Sequence, residues 1–268
     1  MLTNYHTHSI WCDGLDTPAE MAGTAFELGF EALGFSGHRD PAFSACGMTE
    51  EGEAAYRREI EGLREDYAGR MEIYCGIEQD ILAGPRDPFY DYAIGSVHWI
   101  PKDGKHLPVD WNVQAIRDNI DRIYGGDPCA YARDYYDLVS RVKQETRCDI
   151  IGHFDLLTKF DEEGRLFSAG DPRYRQCVMD ALDALGTPGT VFEINTGAIA
   201  RGYRRTPYPA AWILRELRRR GCGIMINSDC HDRTKLTCGF DAARSAALEA
   251  GFKGRIVLTR GEFRETAL

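Results

Sequence analysis

Short apolar runs alternate with amphipathic helical patterns along the whole chain, the signature of repeated βα units around a mostly parallel sheet. The runs predict strands at Leu2–His8, Ala32–Ser36, Met71–Glu78, Tyr92–His98, Asp149–His153, Val191–Asn195 and Gly223–Ser228, with a weaker eighth at Arg255–Leu258. Between them lie helices with readable starts. Thr17-Pro18-Ala19-Glu20 is a capping box with proline at the first helical position, and Thr49-Glu50-Glu51 places acids where the helix dipole favours them. Asp127-Pro128 and Asp171-Pro172 read as two further starts, Pro209 as another, and a last helix covers about Asp241–Ala250, ended by Gly251. Pro101–Asp127 reads as the longest irregular segment, a candidate lid or binding loop. No glycine-rich dinucleotide fingerprint follows the first strand, which favours a barrel over an open doubly wound sheet.

The strand assignments give the histidines a position. Six of seven fall at or just past the C-terminal end of a predicted strand: His6 and His8, then His38, His98, His153 and His231. Glu78, Asn195 and Asp229 sit at equivalent ends. In a barrel those ends open on one face, where active sites are built. Residues i and i+2 of a strand share a face, so His6 and His8 point together, and Asp229 and His231 do so if the chain stays extended there. One HxH pair is a weak signal, whereas six histidines and several acids converging by strand position are not. Imidazole and carboxylate together suit divalent Zn, Mn or Fe, and the number of ligands exceeds the needs of one ion. Closely spaced ions suit phosphate-ester hydrolysis. Arg39, Lys159 and Arg201 are the cationic candidates for a phosphate group. His106, inside the irregular segment, reads as an ordinary surface histidine.

Composition narrows the partners. The 268 residues carry a formal charge of -10, which argues against a dedicated nucleic-acid binder. No apolar run reaches the roughly 18 residues of a membrane span, and Met1–His6 lacks the pattern of a signal peptide. Nine cysteines, with no C-x-x-C pair, read as reduced thiols and predict a cytoplasmic protein. Cys12 and Cys230 neighbour proposed ligands and read as inert packing thiols, with an oxidation switch as the alternative. No linker or repeat is visible, so residues 1–268 are expected to form a single domain.

His6-Thr7-His8, Cys12-Asp13-Gly14, Gly37-His38, Gly76-Ile77-Glu78, Gly95-Ser96-Val97-His98, Gly152-His153-Phe154-Asp155 and Ser228-Asp229-Cys230-His231 resemble, in order, the polymerase and histidinol phosphatase (PHP) superfamily. Asp91–His98, Gly152–Phe160 and Glu193-Ile194-Asn195-Thr196-Gly197 followed by Pro207-Tyr208-Pro209 are similar to its histidinol-phosphatase branch. Gly37 stands where the family usually has Asp, and Cys230 where it commonly has a small residue such as Ala. The resemblance implies an α/β fold, a distorted (β/α)7 barrel, with three divalent ions at its mouth: zinc, iron or manganese. By matching position, His6, His8, Glu78 and Asp229 would hold the first ion, Glu78 would bridge to a second held by His98 and His153, and Asp13, His38 and His231 would hold the third. The implied reaction is hydrolysis of L-histidinol phosphate, in histidine biosynthesis, by a metal-bridging hydroxide. Glu78, Asp229 and His231 would be the catalytic residues, and Arg201, Lys159 or Arg39 would neutralise the phosphate. Asp40, Asp155, Glu193, Tyr203 and Trp99 are candidate partners for the substrate's cationic head. Alternatives are another small phosphoester such as a nucleotide or sugar phosphate, a nuclease or proofreading module, and a non-catalytic metal-binding protein.

Overall fold

A computed structural model describes residues 1–268. Seven strand positions follow one another around the barrel, all paired in parallel: β1 (Thr3–Asn4), β2 (Ala32–Phe35), β4 (Glu72–Asp80), β5 (Tyr92–Ser96), β8 (Ile150–Ile151), β9 (Val191–Asn195) and β10 (Gly223–Asn227). The short β3 (His38–Arg39) resumes the line of β2 and pairs with Glu78 and Gln79 of β4. A parallel bridge between Thr7 and Cys230, with His8 N–H donating to Cys230 O at 2.9 Å, joins the last strand position to the first. This is the distorted seven-unit barrel expected from the sequence, and no helix is long and apolar enough to cross a membrane.

The helices begin where their caps require. Thr17 and Glu20 exchange the two bonds of a capping box ahead of α1 (Pro18–Glu27), and Thr49 caps α2 (Glu50–Asp66), which buries Tyr56, Ile60 and Leu63. Asp127 and Asp171 cap α4 (Pro128–Val139) and α6 (Pro172–Leu185), each with proline at its start. Between α4 and β8 runs the short α5 (Val142–Thr146), and after β9 the short α7 (Gly197–Ala200). The helix expected to begin at Pro209 begins at Ala211 instead (α8, Ala211–Arg219), because Tyr208 is still held extended in a bridge to Asn195. The last helix, α9, covers Phe240–Glu249.

One segment departs from the sequence expectation. Pro101–Asp127 is not irregular. It contains most of an antiparallel hairpin, β6 (Trp99–Lys102) and β7 (Lys105–Pro108), and the helix α3 (Val113–Ile123). The hairpin turns on Asp103 and Gly104, both at positive φ, a pairing Asp-Gly is suited to. The helix is capped by Asn112 and buries Ile116 and Ile120. The weaker eighth strand expected at Arg255–Leu258 forms, but apart from the seven barrel positions. It is β11 (Gly254–Thr259), paired antiparallel with β12 (Glu262–Ala267) and outside the barrel sheet.

That hairpin has a packing role. Val257 and Leu258 join Tyr5, Tyr74, Tyr92, Ile94 and Met225 in a core inside the barrel, separate from the larger core beneath the helices. Tyr5 Oη donates to Leu258 O at 2.7 Å and accepts from Leu258 N–H at 3.1 Å, tying the plug to the end of the barrel opposite the histidines. Tyr92 crosses the interior and donates to Tyr5 O at 2.5 Å. Its ring lies so close to β4 that a Cβ on Gly76 would fall 2.2 Å from Tyr92 Cζ. The filled interior closes off any channel between the two ends, and the histidines gather at the C-terminal mouth.

Candidate metal centre

Glu78, near the C-terminal end of β4, is the hub of the mouth. It is 1% exposed. Its Oε1 lies 2.9 Å from His153 Nε2 and 3.4 Å from His98 Nε2, and accepts from Ser96 Oγ at 2.6 Å. Its Oε2 lies 2.9 Å from His38 Nδ1, 3.2 Å from His6 Nε2 and 3.5 Å from His8 Nε2. Asp229 Oδ1 faces His8 Nε2 at 3.3 Å and His6 Nε2 at 3.7 Å. Asp13 Oδ1 lies 3.3 Å from His231 Nε2, 3.6 Å from His38 Nε2 and 3.8 Å from His8 Nδ1. The nine sequence-predicted ligands therefore meet in one place, in overlapping groups whose donor atoms fall within 4.8 Å of one another.

Local structure explains the convergence. His6 and His8 alternate out of β1 toward the mouth. Asp13 arrives on a loop folded back on the strand end, where Gly14 packs so tightly that a Cβ would lie 2.5 Å from His8 backbone atoms. Asp229 and His231 are not on an extended continuation of β10, since Asp229 adopts φ 48°. That left-handed turn, uncommon outside glycine, aims the carboxylate inward.

The electrostatics suit cations. Burial disfavours charge on Glu78, yet His6, His38, His98 and a bond to His153 hold its pKa well below the usual range. Burial opposes ionisation of Asp229 too, and Arg201 and His6 outweigh it. His8 is driven down to about 3 by burial and by the neighbouring His231 and His38, which keeps it neutral, the form that binds metal. His6 Nε2, His8 Nε2, His38 Nδ1 and Glu78 Oε2 are buried, crowded on one centre, and without a hydrogen-bond partner. Orphaned buried polar atoms cost about 1–3 kcal/mol each. Four of them aimed at one another, in a set of imidazoles and carboxylates, fit divalent ions.

The cluster floors a pocket of about 370 Å³ that is also lined by Asp40, Cys46, Trp99, Asp110, Trp111, Lys159 and Arg201. Arg201 lies 3.0 Å from both Asp229 Oδ2 and His231 Nδ1. Lys159 is buried and its Nζ donates to Asp110 Oδ2 at 2.8 Å. Arg39 is not brought to the pocket. It pairs with Glu53 at 2.5 Å, away from the other two cations. Of the residues considered for a cationic head, Asp40 and Trp99 line the pocket, whereas Asp155, Glu193 and Tyr203 do not. Asp155 is buried and accepts from Ala210 N–H, and Tyr203 packs edge-on against Phe160. Asp110 and Trp111 were missed because they lie in the segment read as irregular. His106 stands apart, stacked on Phe43 at 3.9 Å. Burial raises both the Cys12 and the Cys230 thiol to about 12, in keeping with packing thiols. A larger depression of about 680 Å³ lies at the opposite end of the barrel, near Met1, Arg64 and Arg260, away from every ligand group.

The PHP domain profile matches residues 4–197. A Deinococcus radiodurans protein named "Probable histidinol-phosphatase" is 30% identical over 274 residues, covering 97% of this chain and 96% of the relative. The histidinol-phosphatase of Bacillus subtilis is 25% identical over 261 residues, covering 88% of this chain and 96% of that one. In fold, the chain resembles the crystal structure of histidinol phosphate phosphatase from Lactococcus lactis subsp. lactis in complex with zinc, L-histidinol and phosphate, with a TM-score of 0.73, 20% identity and 98% of each chain covered. The chain is a member of the PHP family, in its histidinol-phosphatase branch.

Proposed function

We propose that this chain, acting as one domain over residues 1–268, hydrolyses L-histidinol phosphate to L-histidinol and phosphate with the help of divalent ions. The observation that carries the reading is the buried Glu78 carboxylate, with five imidazoles within 3.5 Å of its oxygens and Arg201 beside the same cluster. The named relatives supply the substrate.

His6, His8, Glu78 and Asp229 would hold one ion, Glu78, His98 and His153 a second, and Asp13, His38 and His231 a third, with zinc, iron and manganese as the candidates. Divalent ions held there act as Lewis acids on phosphoryl oxygens and lower the pKa of water. Arg201 places a fixed cation beside Asp229 and His231, where it would neutralise charge developing on the phosphoryl group. Glu78, Asp229 and His231 would act on the reaction through the ions they hold, and Arg201 fixes Asp229 and His231 in place. Lys159 supplies a second cation across the pocket, already oriented by Asp110. Asp40, Trp99 and Trp111 line the same pocket and offer one acidic and two aromatic surfaces to an amine and an imidazole. Nine free cysteines fit a reducing cytoplasm.

The test is steady-state turnover of histidinol phosphate against a panel of nucleotide and sugar phosphates, with metal analysis of the same sample. The expected result is the highest kcat/KM on histidinol phosphate by metal-containing enzyme. A higher value on another ester would reassign the substrate, and full activity in chelated, metal-free protein would overturn the mechanism.

A further inference from the structure

Glu193 is a buried carboxylate that the reaction scheme above does not use. It lies on β9, is 0% exposed and does not line the pocket, so it meets no substrate. Its acceptor capacity is filled. Oε1 lies 2.7 Å from His6 Nδ1 and accepts from Asn227 Nδ2 at 3.0 Å. Oε2 accepts from the His153 backbone N–H at 3.0 Å and from Asn195 Nδ2 at 2.9 Å. With four donors on two oxygens, no lone pair remains for an ion. The same Asn195 amide also donates to Asp229 Oδ2 at 3.2 Å. One carboxylate thus touches His6 and the His153 backbone and, through Asn195, reaches Asp229, which come from three different strand ends.

We propose that Glu193 is the positioning residue of the metal centre, fixing His6 in the tautomer that leaves Nε2 free for an ion and holding His153 and Asp229 in register with it. A carboxylate only accepts, so the proton of a neutral His6 sits on Nδ1. The Nε2 lone pair then points at the centre, where the atom lies 3.2 Å from Glu78 Oε2 and 3.7 Å from Asp229 Oδ1 and has no hydrogen-bond partner. A carboxylate behind a ligating histidine orients the ring and raises its basicity. Glutamine has the same shape but one accepting oxygen. Whichever way it sits, its amide faces one pair of the four donors. Facing His6, it forces the ring proton onto Nε2 and blocks the ligand. Facing His153, it pushes that backbone away.

The inference rests on the metal-centre reading, and its test separates the two. Zinc is titrated against a competing chelator into wild type and Glu193→Gln, and the histidine ring nitrogens of zinc-loaded wild type are assigned by 15N NMR. The expected results are at least tenfold weaker zinc binding by the variant, a kcat recovered by raising zinc, and a His6 protonated on Nδ1 in wild type. Recovery by zinc separates positioning from a general folding role. Zinc affinity of the variant within twofold of wild type, or a wild-type His6 protonated on Nε2, overturns the proposal alone. Wild type that binds no zinc overturns the metal-centre reading with it. If Glu193→Gln does not fold, the wild-type tautomer decides.

Discussion

Arg201 donates from Nη2 to Asp229 Oδ2 at 3.0 Å, so the one arginine lining the mouth is paired to a member of the ligand cluster. The pairing fixes the guanidinium and leaves it beside the site where a phosphoryl group would sit. Arg201→Ala is expected to lower kcat/KM for histidinol phosphate by about 10²- to 10³-fold, the usual loss when one preorganised donor to a developing anion is removed. Inhibition by free phosphate should weaken in parallel. Steady-state kinetics with and without phosphate check both.

Glu78 touches more of the centre than any other side chain, with His6, His8, His38, His98 and His153 all within 3.5 Å. Glu78→Ala should reduce bound metal per chain and leave less than about 1% of wild-type activity. Elemental analysis alongside turnover is the measurement. Retention of full metal content and activity would contradict the central role given to this carboxylate.

Protonation of the cluster makes a pH prediction for chelator-treated protein. Burial opposes charge on His38, but Glu78 and Asp13 outweigh it and lift the pKa to about 9. A group raised above its unfolded value of about 6.5 stabilises fully below that pH, and the stability is lost as pH climbs through the folded value. His8, lowered to about 3, acts in the opposite sense and costs stability as pH falls below about 6.5. Chelated protein should therefore melt at its highest temperature near pH 6.5 and lower by pH 9. Zinc-loaded protein should gain more from its metal at pH 8 than at pH 6, because the ligating imidazoles must be neutral. Thermal melts across pH 5–9.5, with chelator or zinc, test the two slopes.

The barrel interior sets a packing limit. Gly76→Ala would drive a methyl to 2.2 Å from Tyr92 Cζ and should destabilise by about 1–3 kcal/mol, seen as a drop of several degrees in Tm. The same change in a Tyr92→Leu background should cost less, because the ring it collides with is gone. Equal costs in both backgrounds would show that the Tyr92 contact is not what excludes a side chain.

By itself the sequence determined the order of the βα units, most helix starts and, at strand ends, eight of the nine candidate ligands, with Asp13 added by the resemblance to the PHP superfamily. These are local facts. A cap such as Thr17 with Glu20 acts over three residues, and a strand end is marked where an apolar run such as Val191–Asn195 stops. Parallel pairing then brings such ends to one face whatever the details. The Asp103-Gly104 turn and the Asn112 cap are local signals too. Tertiary structure decided the rest, because it depends on residues far apart in the chain. Val257 and Leu258 read as strand and are strand, but that this strand plugs the barrel is decided by Tyr5 Oη reaching the Leu258 backbone from the far end of the sequence. Arg39 and Arg201 are equal as cations in the sequence, and only the positions of Glu53 and Asp229 separate them. Glu193 reads, from its place in the Glu193–Gly197 motif, as a candidate partner for an amine. Burial against His6, His153, Asn195 and Asn227 turns it into a support for the ligands, because a carboxylate with all its lone pairs engaged has none left to offer a substrate.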